Sequence, residues 1–154
     1  MRLDSGLLTQ STWLDFSNNA LTTIPSEIGL LKQLTGLELA HNKLTTIPSE
    51  IGLLTQLTSL DLHNSYLTST VPSEIGLLTQ LTSLDFSGNL LTTIPSEIGL
   101  LTHLTWLNLR ENNLTTIPSE IGLLTQLSRL DFTYNQLKST IPSEIGLLTQ
   151  VVWS

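Results

Sequence analysis

The chain has 154 residues, enough for one domain with a continuous hydrophobic core. Its formal net charge of −7 argues against a nucleic-acid or anionic membrane partner, because like charges repel. Since there is no cysteine, the composition excludes disulfides, thiolate metal sites and cysteine nucleophiles.

No targeting or membrane-spanning segment is predicted. Residues 1–5 are not followed by a long apolar stretch, so we expect no signal peptide. No stretch approaches the roughly 18 apolar residues of a membrane span, and a soluble chain is expected. The lack of cysteine favours the cytoplasm, but a fragment of a secreted protein would share this feature, so the sequence leaves the compartment open.

Six near-identical units follow one another along the chain and predict one solenoid domain over residues 1–154. Residues 4–10 match the tail of a unit, and residues 151–154 match the start of another. The chain is therefore expected to be a piece of a longer protein, or to cover its open ends by self-association. The complete units are 11–33, 34–56, 57–80, 81–103, 104–126 and 127–150.

Within each unit, the apolar spacing predicts a strand followed by a segment that leads the chain back to the start of the next strand. We call this segment the return. In unit 104–126, Leu107 and Leu109 lie two residues apart, which places them on one face of a short strand. The apolar residues that follow are spaced more widely, as in a turn and a short 3₁₀ or helical segment. Pro118 presets φ for this return and Gly122 relieves crowding in it.

The pattern L-x-x-L-x-L-x-x-N-x-L, followed by I-P-S-E-I-G-x-L, resembles the leucine-rich-repeat family over essentially the whole chain, in its plant-type and bacterial 23- or 24-residue subclasses. The resemblance implies a curved α/β solenoid, with a parallel β-sheet on the concave face and 3₁₀, short helical or irregular returns on the convex face. It also implies buried asparagines that bond turn backbone, namely Asn19, Asn42, Asn89, Asn112 and Asn135. Ser65 takes this place in the third unit, where we expect a local irregularity or an ordered water.

Variation between units is concentrated on the strand side, which favours a recognition surface. The third, fifth and seventh positions are predicted to face away from the core, with the eighth and tenth at the rim. Trp, Tyr and Arg among them are typical of interface hot spots, although a lower tolerance of core and turn positions would give the same contrast. The candidate ligand-binding residues are Trp13, Asp15, Glu38, Asp61, His63, Asp85, Trp106, Arg110, Arg129, Asp131 and Tyr134.

The fifth position is acidic in most units, which indicates either a basic or amphipathic protein segment as partner or a solvated strip. A row of carboxylates does not make a closed oxygen cage, so no metal site is predicted. His41 and His63 fall at different positions of their units, and no nucleophile or phosphate loop accompanies them. We therefore expect no catalytic residues, no cofactor and no enzymatic activity.

The leading hypothesis is a module that binds a protein or peptide on its concave face, but two alternatives stay open. A leucine follows every return glycine, and these six could form an apolar stripe for self-association or lie half-buried between returns. Stacked threonines, as in ice-binding solenoids, suggest an ice-binding protein, although threonine is common on extended backbone. The leucines are Leu30, Leu53, Leu77, Leu100, Leu123 and Leu147.

Overall fold

The computed structural model describes residues 10–68, 71–138 and 141–151. These residues form a solenoid in which three-residue strands alternate with five-residue 3₁₀ returns. Most of the two terminal partial units, and the extra residues near 69–70 and 139–140, lie outside the described residues. No helix within the described ranges is long and apolar enough to cross a membrane.

The six strands form one parallel sheet in chain order, as the sequence predicts. Each strand pairs with the next in the register of the units, so that Trp13 lies beside Gly36 and Asp15 beside Glu38. Equivalent side chains are therefore stacked in columns across the sheet. The strands are β1 (Trp13–Asp15), β2 (Gly36–Glu38), β3 (Ser59–Asp61), β4 (Ser83–Asp85), β5 (Trp106–Asn108) and β6 (Arg129–Asp131).

A 3₁₀ return follows every strand, on the other side of the core. Each has the same sequence, Ser-Glu-Ile-Gly-Leu, and begins after a proline; in η1 the backbone N–H of Ile28 donates to the carbonyl oxygen of Pro25 at 3.0 Å. The returns are η1 (Ser26–Leu30), η2 (Ser49–Leu53), η3 (Ser73–Leu77), η4 (Ser96–Leu100), η5 (Ser119–Leu123) and η6 (Ser143–Leu147).

The hydrophobic core lies between the sheet and the returns and is continuous along the solenoid. The middle leucine of each inner strand is fully buried, as is the isoleucine of the return behind it; Leu84 and Ile98 are both 0% exposed. At the two ends, Leu14 and Leu130 are only partly buried. One unit cannot cover its apolar side, and stacking on both neighbours completes the burial.

The asparagine column bonds turn backbone of adjacent units, as the resemblance implies. Asn112, which is buried, donates from Nδ2 to the carbonyl oxygens of Phe86 at 2.9 Å and Leu109 at 3.2 Å. Its Oδ1 accepts the backbone N–H of Leu91 at 3.0 Å. Asn42 and Asn89 repeat this arrangement and are also buried. These three asparagines therefore join their turns to the unit before.

Two members of this column differ from the expectation. Asn19 is exposed, and among the described residues it donates to the carbonyl oxygens of Phe16 and Ser17 in its own turn. Ser65 is buried, and within the described part of the chain its Oγ has no hydrogen-bond partner. The backbone there is regular, since the N–H of Tyr66 still donates to Leu44 at 2.9 Å. The irregularity at Ser65 is thus an unsatisfied hydroxyl and not a distorted turn.

Candidate binding face on the sheet

The outward side of the six strands, which we call the sheet face, carries the variable columns. The first and third residues of each strand flank a core leucine and therefore point away from the core. At the edges of the sheet, Trp13 is 53% exposed and Arg129 is exposed, whereas Trp106 is half-buried. Gly36 is buried, because the indole of Trp13 covers it.

The acidic column is tied to its own turns. Asp61 accepts the backbone N–H of His63 at 2.9 Å through Oδ1, and Asp15, Asp85 and Asp131 accept the N–H two residues further on in the same way. Asp85 also accepts the side-chain amide of Asn108 at 3.1 Å. At 6% exposure, Asp85 forms part of the turn rather than of the accessible face.

The pKa values of two carboxyl groups in this column are shifted in opposite directions from their usual values. Hydrogen bonds from the backbone and side chain of Ser17 lower the pKa of Asp15. Partial burial, followed by the nearby charge of Asp61, raises the pKa of Glu38. The column is therefore not a uniform strip of solvated carboxylates, because removal from water and mutual repulsion both act on its second member.

Two histidines at different positions of adjacent units lie in contact at the rim of the sheet face. The Nε2 atoms of His41 and His63 are 3.1 Å apart, and the two rings make a T-shaped pair with centroids separated by 4.6 Å. Nδ1 of His63 lies 2.7 Å from Oδ1 of Asp61. His41 is exposed and His63 is partly buried. Of this group, the sequence predicted Asp61 and His63 as candidate binding residues and placed the position of His41 at the rim, but it did not predict the contact between the two rings.

The histidines meet because of the backbone at the eighth position of the units. The N–H of His41 donates to the carbonyl oxygen of His63 at 2.9 Å, which continues the parallel pairing beyond β2 and β3. His41 then adopts a left-handed conformation with φ of 53°, which turns the chain after the strand. The seventh position of one unit and the eighth of the unit before it are thereby brought side by side.

The same left-handed conformation recurs at this position in all six units. Gly88 adopts it without steric difficulty, and asparagine tolerates it. Glu111 and Tyr134, with φ of 55° and 56°, are residues that rarely adopt it. Both contact Arg110, whose guanidinium lies 4.6 Å from the Tyr134 ring centroid and whose Nε donates to Glu111 at 3.0 Å. These three side chains form an aromatic and charged cluster beside β5 and β6.

The return side carries the leucine stripe. These six side chains are between 47% and 63% exposed, so each return presents one exposed leucine. Leucines between the two ends of the stripe lie close to the glycine of the preceding return. For example, a β-carbon placed on Gly52 would lie 3.1 Å from Cδ1 of Leu77. Most of the stacked threonines are exposed on the loops between strand and return. Ice binding stays a prediction, which a measurement of thermal hysteresis would test.

Comparison with known proteins identifies the repeat. A sequence model described as leucine rich repeat matches residues 9–67, 55–114 and 79–137. None of the curated protein sequences matches the chain.

Solved structures share the fold. An LRR protein from Leptospira interrogans is 38% identical, with a TM-score of 0.67 over 89% of this chain and 40% of that one. The plant peptide hormone receptor RGFR1, in complex with RGF2, is 30% identical, with a TM-score of 0.74 over 91% of this chain and 27% of the receptor. The LRR ectodomain of the Arabidopsis thaliana receptor kinase GASSHO1/SCHENGEN3, in complex with CASPARIAN STRIP INTEGRITY FACTOR 2, is 37% identical, with a TM-score of 0.69 over 89% and 20%. The chain thus spans 20 to 40% of the length of these three proteins.

Proposed function

The chain belongs to the leucine-rich-repeat family, and we propose that it is a recognition module that binds a protein or peptide through its sheet face. One observation carries the proposal: the six returns are identical in sequence, whereas the residue that precedes the core leucine on the strands varies from Trp13 and Gly36 to Trp106 and Arg129. A uniform scaffold with a variable, accessible face is typical of repeat proteins that bind extended partners. Binding, and not catalysis, is the role that this arrangement favours.

The structure of RGFR1 with RGF2 supports the choice of ligand class, because that receptor is described as binding a peptide hormone and shares this fold. The side chains also support it. Trp13, Tyr134 and Arg129 are exposed, and these three residue types contribute most to interface energies.

The distribution of charge on the sheet face indicates which charges a partner would carry. Acidic residues occupy the fifth position on β1 to β4 and again on β6, whereas Arg110 follows β5 and Arg129 begins β6. A ligand that crosses the strands would place its basic residues on β1 to β3, where Asp15, Glu38 and Asp61 are at least partly exposed, and an acidic or aromatic residue near the two arginines. We propose a basic or amphipathic segment that lies across the sheet in this direction.

The experiment compares the sheet side and the return side of neighbouring units. Peptides would be selected from a displayed random library against the wild-type chain, and their affinities measured by isothermal titration calorimetry. The sheet-face variant is Trp106→Ala/Arg129→Ala, and the matched control is Leu100→Gln/Leu123→Gln on the return side. We expect the sheet-face variant to weaken binding at least about tenfold, with basic peptides enriched and affinity falling as salt rises.

Two results would contradict this proposal. One is full affinity in the sheet-face variant, and the other is a loss of binding in the return-side variant alone. Circular dichroism on both variants separates a lost contact from a lost fold.

Self-association is a second candidate, favoured by the exposed row of leucines. An apolar stripe on a charged, water-facing surface usually marks a contact. Sedimentation velocity over a range of concentrations is the direct test: we expect a concentration-dependent dimer in the wild type and a monomer in Leu100→Gln/Leu123→Gln. A wild-type chain that stays monomeric at high concentration would eliminate this candidate.

A further inference from the structure

We infer that His41 and His63 form a binding site for a divalent transition-metal ion of the zinc type, at the rim of the sheet face. The two Nε2 atoms face each other at 3.1 Å across neighbouring units. Two nitrogens bonded to one ion at about 2.0–2.1 Å, with a bond angle between 90° and the tetrahedral value, lie about 2.9–3.4 Å apart. The observed separation falls within this range.

The hydrogen bonds of His63 prepare its Nε2 to bind an ion. Its Nδ1 lies 2.7 Å from Oδ1 of Asp61, and because a carboxylate only accepts, the proton of the neutral ring resides on Nδ1. The Nε2 lone pair is therefore free to accept a proton or to bind a metal ion. Metal-binding histidines generally donate their other ring N–H to a carboxylate or carbonyl oxygen, which fixes the ring and raises its basicity.

Asp61 is itself held in place, which makes it a positioning residue. The Oδ1 atom that faces the ring also accepts the backbone N–H of His63 at 2.9 Å. One carboxylate oxygen thus fixes both the main chain and the ring of the same residue. His63 is only partly exposed, so its ring is restricted further by its surroundings.

His41 supplies the second ligand and is the adaptable one. Without a metal ion, its Nε2–H donates to Nε2 of His63, while its Nδ1 lies 3.5 Å from the side-chain nitrogen of Asn64. When an ion binds between the rings, the His41 proton moves to Nδ1, where the amide oxygen of Asn64 can accept it after the amide rotates. His41 is exposed, so its ring is free to turn and the ion's remaining positions stay open to water.

The charge around the pair favours a cation. Ligand atoms of Asp61, His63 and Asp85 lie within 4.8 Å of one another, and Glu38 stands beside Asp61 in the sheet register. These carboxylates offset the positive charge of an ion held by two neutral imidazoles. Imidazole with nearby carboxylate selects zinc, copper or nickel over calcium and magnesium, which prefer oxygen ligands.

The test uses Zn²⁺ alone, so it does not depend on a protein or peptide partner. Zn²⁺ would be titrated by calorimetry into the full chain, produced without a histidine tag, in a buffer that does not chelate metals. We expect one ion per chain, with affinity at least about tenfold lower in both His41→Gln and His63→Gln and unchanged in His103→Gln. His103 is the matched control, because it is the remaining histidine of the chain and its Nδ1 lies 3.0 Å from the carbonyl oxygen of Thr79, away from this pair.

Asp61→Asn tests the positioning role, since losing such a carboxylate weakens metal binding by about 10- to 100-fold. Nuclear magnetic resonance of the ring nitrogens adds a direct readout: Zn²⁺ should shift Nε2 of both His41 and His63. Zinc binding that survives in His41→Gln and His63→Gln but is lost in Asp85→Asn would overturn the proposal in favour of the carboxylates. A pair that responds to protons but shows no zinc-dependent Nε2 shift would overturn it as well.

Discussion

The indole ring of Trp13 packs on Gly36 of the neighbouring strand, in the space that a β-carbon would occupy. Gly36 is consequently buried, although it stands on the outward side of the sheet, while Trp13 remains 53% exposed. The same column carries serine on β3 and β4. The absence of a side chain at Gly36 therefore decides the orientation of the most exposed tryptophan among the described residues.

Gly36→Ser should displace this ring. The serine β-carbon would collide with the indole, so we expect Trp13 to move into solvent, its fluorescence to shift to longer wavelength, and the unfolding free energy to fall by about 1 kcal/mol. The measurement is made in a Trp106→Phe/Trp153→Phe background, which leaves Trp13 as the one tryptophan of the chain, and Ser59→Ala in the same column is the control. An unchanged spectrum in Gly36→Ser would show that the indole does not need this space.

Ser65→Asn should stabilise the protein. An asparagine in this place can accept the backbone N–H of Leu44 and donate to the carbonyl oxygen of Leu39, the groups that correspond to those bound by Asn42 one unit earlier. It would also remove a buried hydroxyl that has no partner within the described residues. We expect the unfolding free energy, measured by urea denaturation, to rise by about 1–2 kcal/mol.

The reverse change supplies the control. Asn112→Ser removes bonds to the carbonyl oxygens of Phe86 and Leu109 and to the N–H of Leu91, so it should lower the unfolding free energy by about 2–3 kcal/mol. If Ser65→Asn instead destabilised the chain, the third turn would have to be too narrow for an asparagine. That result would contradict the equivalence of the turns.

Much of this architecture follows from the sequence, because the unit length sets the register. Twenty-three or twenty-four residues per unit place Leu37 beside Leu60 and Asp61 beside Asp85, so the columns of the sheet could be predicted. The contact between His41 and His63 could not. It joins the seventh position of one unit to the eighth position of the unit before it, and the repeat pattern gives no distance between side chains of different columns.

The burial of Asp85 also escaped prediction. Its equivalents Asp15 and Asp131 are accessible, and the difference arises from the neighbours. Asp85 lies in the middle of the sheet and accepts the side-chain amide of Asn108 from the next strand, which no pattern within one unit reveals. Position in the solenoid, and not position in the repeat, determines how far such a residue is exposed.

Glu38→Gln should stabilise the protein at neutral pH and leave it unchanged in acid. Because the pKa of Glu38 is raised in the folded state, the unfolded chain loses this proton first as pH rises, and ionisation then favours unfolding. Below the ordinary carboxyl range both states are protonated and the difference disappears. We expect a gain of at most about 1 kcal/mol at pH 7, since solvent screens a partly exposed group.

Asp15→Asn is the control, because this substitution should change the stability at neutral pH in the opposite direction. The pKa of Asp15 is lowered by its bonds to Ser17, so its ionised form stabilises the folded state at neutral pH and that contribution is lost as pH falls through the lowered pKa. The variant should therefore be less stable than wild type at pH 7 and equal to it in acid. Urea denaturation at a series of pH values measures both variants, and parallel curves for Glu38→Gln and wild type would contradict the prediction.

Gly99→Ala and Gly146→Ala should differ sharply, although both glycines occupy the same place in identical returns. A β-carbon on Gly99 would lie 2.8 Å from both the carbonyl oxygen and the β-carbon of Glu120 in the next return, so the stacked backbones would have to move apart. On Gly146 it would meet nothing within 4 Å among the described residues. Overpacking of this kind costs about 1–3 kcal/mol, whereas alanine at an open position is neutral or slightly stabilising. Thermal unfolding of the two variants measures the difference, and an equal loss in both would mean that the glycine is required by the 3₁₀ return itself and not by the contact between units.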